Sequence, residues 1–195
     1  MSYDKITIII NTFNSEDKIH QCLNSINSET KIIVIENSSN TNFKNDLEKK
    51  YNNVECFLTN ENLGYAKGNN LGLSKVKTDF ALILNPDAVL ENKTLDRLLI
   101  TANKHTDFAI IGPAKQDEYS KTDFNDSKDE VFQVNSLKGF AMFFPVASGN
   151  EPWMGSYNEF SSPTEADGIK PIDPEITEAS SVKISPNKFS VISTS

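Results

Sequence analysis

Three short apolar runs, each ending in a polar turn cluster and each followed by sequence long enough for a helix, constrain this chain more than any other feature. The first, ITIII at residues 6–10, is a continuous β-branched run that stops at Asn11-Thr12-Phe13-Asn14-Ser15, which is turn and helix-cap chemistry. Ile19, Cys22, Leu23 and Ile26 recur at helical spacing behind Asn14 and Ser15, so a helix is expected over 16–27. The second run, IIVI at 32–35, ends in Glu36-Asn37-Ser38-Ser39-Asn40 and leads into a helix over 43–51. A strand at 54–58 precedes a helix over 65–76 that opens after Gly64. The third run, FALIL at 80–84, enters Asn85-Pro86-Asp87, where proline ends ladder pairing, and Leu95, Leu98, Leu99 and Ala102 mark the next helix. Residues 108–111 read as one more strand, closed by Gly112-Pro113. Strands alternating with helices need crossover connections, which gives an α/β fold with a mostly parallel sheet and helices on both faces. Ligands of such sheets sit outside the carboxyl ends of the strands, where these polar clusters lie.

Length and composition set the limits. At 195 residues there is room for one substantial core and an appendage. Residues 116–130 hold four aspartates, two glutamates and two lysines and read as a solvated excursion, after which 131–144 return to strand-like composition. The last 49 residues carry ten serines and five of the eight prolines without helical or strand period, so 1–146 are expected as the domain and 147–195 as a poorly ordered tail. Net charge is −8 and Arg97 is the only arginine, which removes nucleic-acid binding as the default. An acidic chain still binds a phosphorylated ligand when a divalent cation bridges the negative charges. No apolar run is long enough to span a bilayer, and MSYDKITIII does not read as a signal peptide, so a cytoplasmic location is expected. Cys22 and Cys56 stand in no CxxC pattern and suit buried thiols in a reducing compartment.

Two segments carry chemistry on residue type alone. Asn85-Pro86-Asp87 puts a carboxylate directly after a very apolar strand, at the sheet edge where ligands bind. The competing reading is structural: Asp87 caps the helix starting near Thr94 or closes a turn. In Glu61-Asn62-Leu63-Gly64-Tyr65-Ala66-Lys67-Gly68-Asn69-Asn70-Leu71-Gly72 the glycines recur every four residues, which matches neither the P-loop nor the dinucleotide GxGxxG pattern. Such a helix has one bare face, suited to close approach to a ligand or to tight packing on the sheet. His20 and His105 have no second ligand at metal spacing and read as surface groups, and the charges of 44–50 as a solvated helix face.

In this order and at these distances, TFN at 12–14, ENSS at 36–39, NLGYAKGNNLG at 62–72 and LILNPDA at 82–88 resemble the amino-terminal half of family 2 glycosyltransferases of the GT-A (Rossmann-like) fold, especially the rhamnosyltransferase-like branch. The resemblance covers about residues 5–112, with a weaker echo of an acceptor-side strand at 137–142. It implies that Thr12, Phe13, Asn14 and Glu36 hold the base and ribose of a nucleotide-diphosphate sugar, with Asn37 also donor-binding. Glu36 stands where most relatives carry Asp. It implies that Asn62, Gly64, Lys67, Gly68 and Asn85 approach the donor, and that Asp87 holds Mg²⁺ or Mn²⁺ on the diphosphate. The activity implied is inverting transfer to a polysaccharide or lipid-linked acceptor, at the inner face of the membrane where a partner supplies peripheral association.

An inverting transferase needs a general base, which relatives place in an aromatic-rich segment ending in Glu-Asp. Trp153, Tyr157, Phe160, Glu151, Glu159 and Asp167 do not match that pattern, so the catalytic residue is unassigned and the tail reads as a divergent, truncated or frame-shifted acceptor half. Three other readings stay open at this point: a donor-binding remnant without transfer, an α/β interaction module, and a sugar nucleotidyltransferase, the last disfavoured because no glycine- and arginine-rich loop follows ITIII.

Overall fold

The computed structural model describes residues 3–106, 108–114, 131–134, 139–146 and 189–193. After a short 3₁₀ turn at Tyr3–Lys5, the chain alternates β1 (Ile6–Thr12), α1 (Glu16–Asn24), β2 (Lys31–Glu36), α2 (Thr41–Lys50), β3 (Val54–Leu58), α3 (Gly64–Leu73), β4 (Phe80–Leu84) and α4 (Thr94–Lys104). Strands β5 (Ile110–Ala114), β6 (Val131–Val134), β7 (Ala141–Pro145) and β8 (Phe189–Ser193) complete one sheet of order β3-β2-β1-β4-β7-β5-β8-β6. The pairs β3–β2, β2–β1 and β1–β4 are parallel, while β7 runs antiparallel between β4 and β5. The order reverses at β1, with β2 on one side and β4 on the other, which creates the crevice where such sheets bind ligands.

Strand parity explains the core. Ile6, Ile8 and Ile10 face a cluster with Ile19, Cys22 and Leu23 of α1, Phe43 and Leu47 of α2, and Leu95, Leu98 and Leu99 of α4. Ile9 points the other way, into a smaller cluster with Ala81, Ile83 and Met142 against which Tyr65 and Leu73 of α3 pack. A Cβ on Gly72 would lie 2.4 Å from Ile9 Cγ2 and 3.3 Å from Ile35 Cγ1, so α3 meets the sheet through bare backbone. The glycine spacing therefore serves packing at Gly72.

Some expected boundaries shift. Gly112 and Pro113 lie inside β5, which continues to Ala114 by pairing in register with β8. On its other edge the register with β7 is limited to Ile111 and stops short of Pro113, which has no N–H to donate. Strand β8, for which the sequence shows no signal beyond five residues of mixed character, joins the sheet through long-range pairing with β5 and β6. The expected domain boundary at 146/147 and residues 147–188 lie outside the described residues. His20, expected at the surface, is half-buried with Nδ1 3.0 Å from the Tyr51 hydroxyl. His105 is half-buried too, at the end of α4.

Gly72→Ala forces a methyl group into Ile9, and urea unfolding should show destabilisation of about 1–3 kcal/mol despite the better helix former. Burial pushes the thiols of Cys22 and Cys56 up to about 12. Each keeps its proton in the folded chain while the unfolded chain ionises near 9, so their contribution to stability is complete below that pH and lost as pH rises toward 12. Thiol titration at pH 8 should leave both unreacted until the chain is unfolded.

Candidate functional site

The β1–β2 register decides which polar side chains meet. Thr12 pairs with Glu36, and the Thr12 hydroxyl donates to Glu36 Oε2 at 2.6 Å. The Ser38 hydroxyl donates to Oε1 at 2.5 Å. Glu36 is 1% exposed, and each carboxylate oxygen accepts a hydroxyl hydrogen bond from its own turn.

On the opposite face Asn11 continues the row of Ile9 and lies beneath α3. Its Nδ2 donates to the carbonyl oxygens of Gly64 (3.2 Å) and Tyr65 (3.0 Å), which leaves Oδ1 as the acceptor for Asn37 Nδ2 at 2.6 Å. A Cβ on Gly68 would fall within 2.5–2.7 Å of the Asn11 amide, so the second glycine of the repeat makes room for this side chain. Gly64 has φ +73, and its N–H donates to Asn62 Oδ1 at 2.9 Å. That left-handed turn starts α3 directly over the end of β1. Three polar clusters far apart in sequence are thus tied together by one asparagine side chain.

The end of β4 closes the opposite wall. Ala88 N–H donates to Asn85 O at 3.1 Å, closing a turn with Pro86 and Asp87 at its centre. This turn is the role that local chemistry suggested, and it presents Asp87 exposed to solvent. Asp87 does not cap α4, whose N-cap is Lys93. Asn85 N–H donates to Phe140 O at 2.9 Å, and the Tyr65 hydroxyl donates to Gly139 O, so the turn before β7 is pinned from both sides. Burial pushes the Tyr65 phenol up to about 12, with the Asn69 amide acting in the opposite sense.

Between these turns lies a cleft of about 350 Å³. Of the residues singled out from sequence, Thr12, Phe13, Asn37, Asn62, Gly64, Asn85 and Asp87 line it. Phe13 is 47% exposed at that site and offers an aromatic face. Asn14, Glu36, Lys67 and Gly68 do not line it: Glu36 is buried, Gly68 faces Asn11, and Asn14 and Lys67 are exposed elsewhere. Asn11, Ser15, Lys18, Tyr65, Pro86 and Gly139 line the cleft without having been singled out for it. Asn11 was recoverable, since the alternation that buries Ile9 also turns Asn11 toward α3. Trp153, Tyr157, Phe160 and the acids considered with them lie outside the described residues.

Asp87 is the only carboxylate among the cleft-lining residues, and no cluster of three or more His, Cys, Asp or Glu side chains is found among the described residues. A single exposed carboxylate does not cage an ion by itself, but it fits Mg²⁺ or Mn²⁺ shared with ligand phosphates, the usual way such ions are held beside nucleotides.

The chain matches the family described as Glycosyl transferase family 2 over residues 7–159, and it belongs to that family. Several solved structures share its fold. S. aureus TarS 1–349 in complex with UDP-GlcNAc aligns over 98% of this chain and 56% of its own, at TM-score 0.64 and 18% identity. The mannosyltransferase PcManGT from Pyrobaculum calidifontis, in complex with GDP-Man and Mn²⁺, aligns over 72% of this chain and 44% of its own, at TM-score 0.56 and 17% identity. The chain spans about half the length of these structures. No curated protein matches it at a comparable level of significance. The GT-A fold expected from sequence is therefore present. Among the described residues no helix is long and apolar enough to cross a membrane.

Because Gly68 and Asn11 occupy one space, their substitutions should couple. Gly68→Ala alone should destabilise the chain, and in an Asn11→Ala background its cost should fall by about 0.5 kcal/mol or more. A double-mutant cycle in urea measures this, and strict additivity would contradict the contact.

Proposed function

We propose that this cleft binds a nucleotide-diphosphate sugar and that the chain transfers the sugar, by metal-assisted inverting displacement, to a glycan or lipid-linked acceptor. The observation that carries the reading is the convergence of the polar ends of β1, β2 and β4 and the start of α3 on one cleft at the strand-order reversal, with Asp87 as its single carboxylate among the described residues. Phe13 offers an aromatic face for the base, and Thr12 and Asn37 the polar groups around it. Glu36 acts in this reading from beneath, by holding the Thr12 hydroxyl and the Ser38 turn in place. Gly64 and Asn62 keep the backbone close to the donor, with Gly68 letting α3 settle over Asn11. Asn14 and Lys67 are exposed and do not line the cleft.

Electrostatics explains why Asp87 implies an ion. A carboxylate about 5 Å from a phosphate oxygen is repelled by roughly 3 kcal/mol at an effective dielectric of about 20. A bound divalent cation supplies charge neutralisation for the departing diphosphate. Asp87 would hold it from the Asn85–Ala88 turn, whose position the Asn85 N–H to Phe140 carbonyl bond sets. The structural neighbours in complex with UDP-GlcNAc and with GDP-Man and Mn²⁺ support this choice of ligand class.

Titrating UDP, GDP and TDP with and without Mn²⁺ tests the reading. Metal-dependent binding of at least one is expected, weakened about tenfold or more, roughly 1.4 kcal/mol, by Asp87→Ala. Equal affinity with and without metal in both chains would remove Asp87 from the role.

A further inference from the structure

Among the described residues the cleft has one positive charge, and it is not on the glycine-rich segment that carries Lys67. Lys18, the third residue of α1, is the only cationic residue lining the cleft among the described residues, whereas Lys67 lies outside it. Five other lysines have partners of their own. Lys5 pairs with Asp79, Lys31 with Glu55 and Lys44 with Glu48, and Lys50 and Lys75 lie over aromatic rings. Lys18 has no ion pair and no ring partner among the described residues. Its neighbours leave its charge to the cleft: Glu16 accepts from Asn40 Nδ2 at 3.2 Å, and neither Glu16 nor Asp17 lines the cavity. The adjacent Ile19 is fully buried, so the backbone that carries Lys18 is anchored in the core.

Charge arithmetic gives this lysine a task. The diphosphate of a nucleotide sugar brings two negative charges and Asp87 a third, against two positive charges on a divalent ion. One negative charge is left over in a cleft that excludes part of the solvent, where an unbalanced charge is costly. We propose that Lys18 contacts the donor diphosphate and supplies that missing charge, making it a binding residue that separates nucleotide diphosphates from nucleosides. This rests on the reading of the cleft as a nucleotide-diphosphate site. Lysine suits the task as a mobile point charge with three donors, able to follow the phosphate as the leaving group departs.

The test is calorimetric titration of the full chain, in Mn²⁺, with UDP and GDP and with the matching nucleosides. For whichever diphosphate binds, Lys18→Met should lower affinity about tenfold, as expected for loss of a charge-assisted contact, while nucleoside affinity stays within about twofold. Lys18→Arg should recover most of the loss, and Lys49→Met, on the exposed last turn of α2, should change nothing. Circular dichroism should show the variants folded alike, since Lys18 is exposed. Unchanged diphosphate binding in Lys18→Met, an equal loss for nucleoside and diphosphate, or a loss found in Lys67→Met instead would overturn the assignment of Lys18. A wild-type chain that binds neither diphosphate would overturn the donor reading itself, and Lys18 with it.

Discussion

The constraint on which the site depends is the contact of α3 with β1 through two glycines. At Gly72 the helix rests on Ile9 and at Gly68 on the Asn11 amide, with no room for a Cβ at either place. Because α3 lies that close, the carbonyls of Gly64 and Tyr65 come within reach of Asn11 Nδ2, and the orientation of that amide passes to Asn37. A larger residue would lift the helix and break the tie between three turns. The packing of α3 on the sheet and the polar order at this side of the cleft are consequences of one steric fact.

The opposite wall is built on different physics. Strand β7 enters antiparallel beside β4, so the turn preceding it meets the turn that leaves β4. The Asn85–Phe140 and Tyr65–Gly139 hydrogen bonds join the two walls at that point. Asp87 stays exposed on a proline-centred turn, so its carboxylate faces solvent although it follows an apolar strand. Its negative charge still reaches inward, adding to burial in raising the Cys22 thiol.

Legibility followed the range of the forces involved. The alternation of elements was readable because strand and helix periods are local, and β3 and β4 have the expected bounds. Asn-Pro-Asp was readable because turn preference is carried by three adjacent residues. Asn11 was harder to recognise because it belongs at once to a turn cluster and to the parity of β1, and only the second property governs what it touches. Gly112-Pro113 resembles a stop by local rules, yet β5 continues because its pairing partner β8 lies about eighty residues further along the chain.

The sequence by itself determined the α/β class, the family, and the set of polar turns at the strand ends, since each depends on residue types within a few positions of one another. Tertiary structure alone decided which of those residues share a cavity. Glu36 was turned inward to accept two hydroxyls, Lys67 was left outside, and Lys18 and Tyr65 were brought in. Strand register and the closeness of a helix to a sheet are settled by contacts between segments far apart in the chain, and no local pattern encodes them.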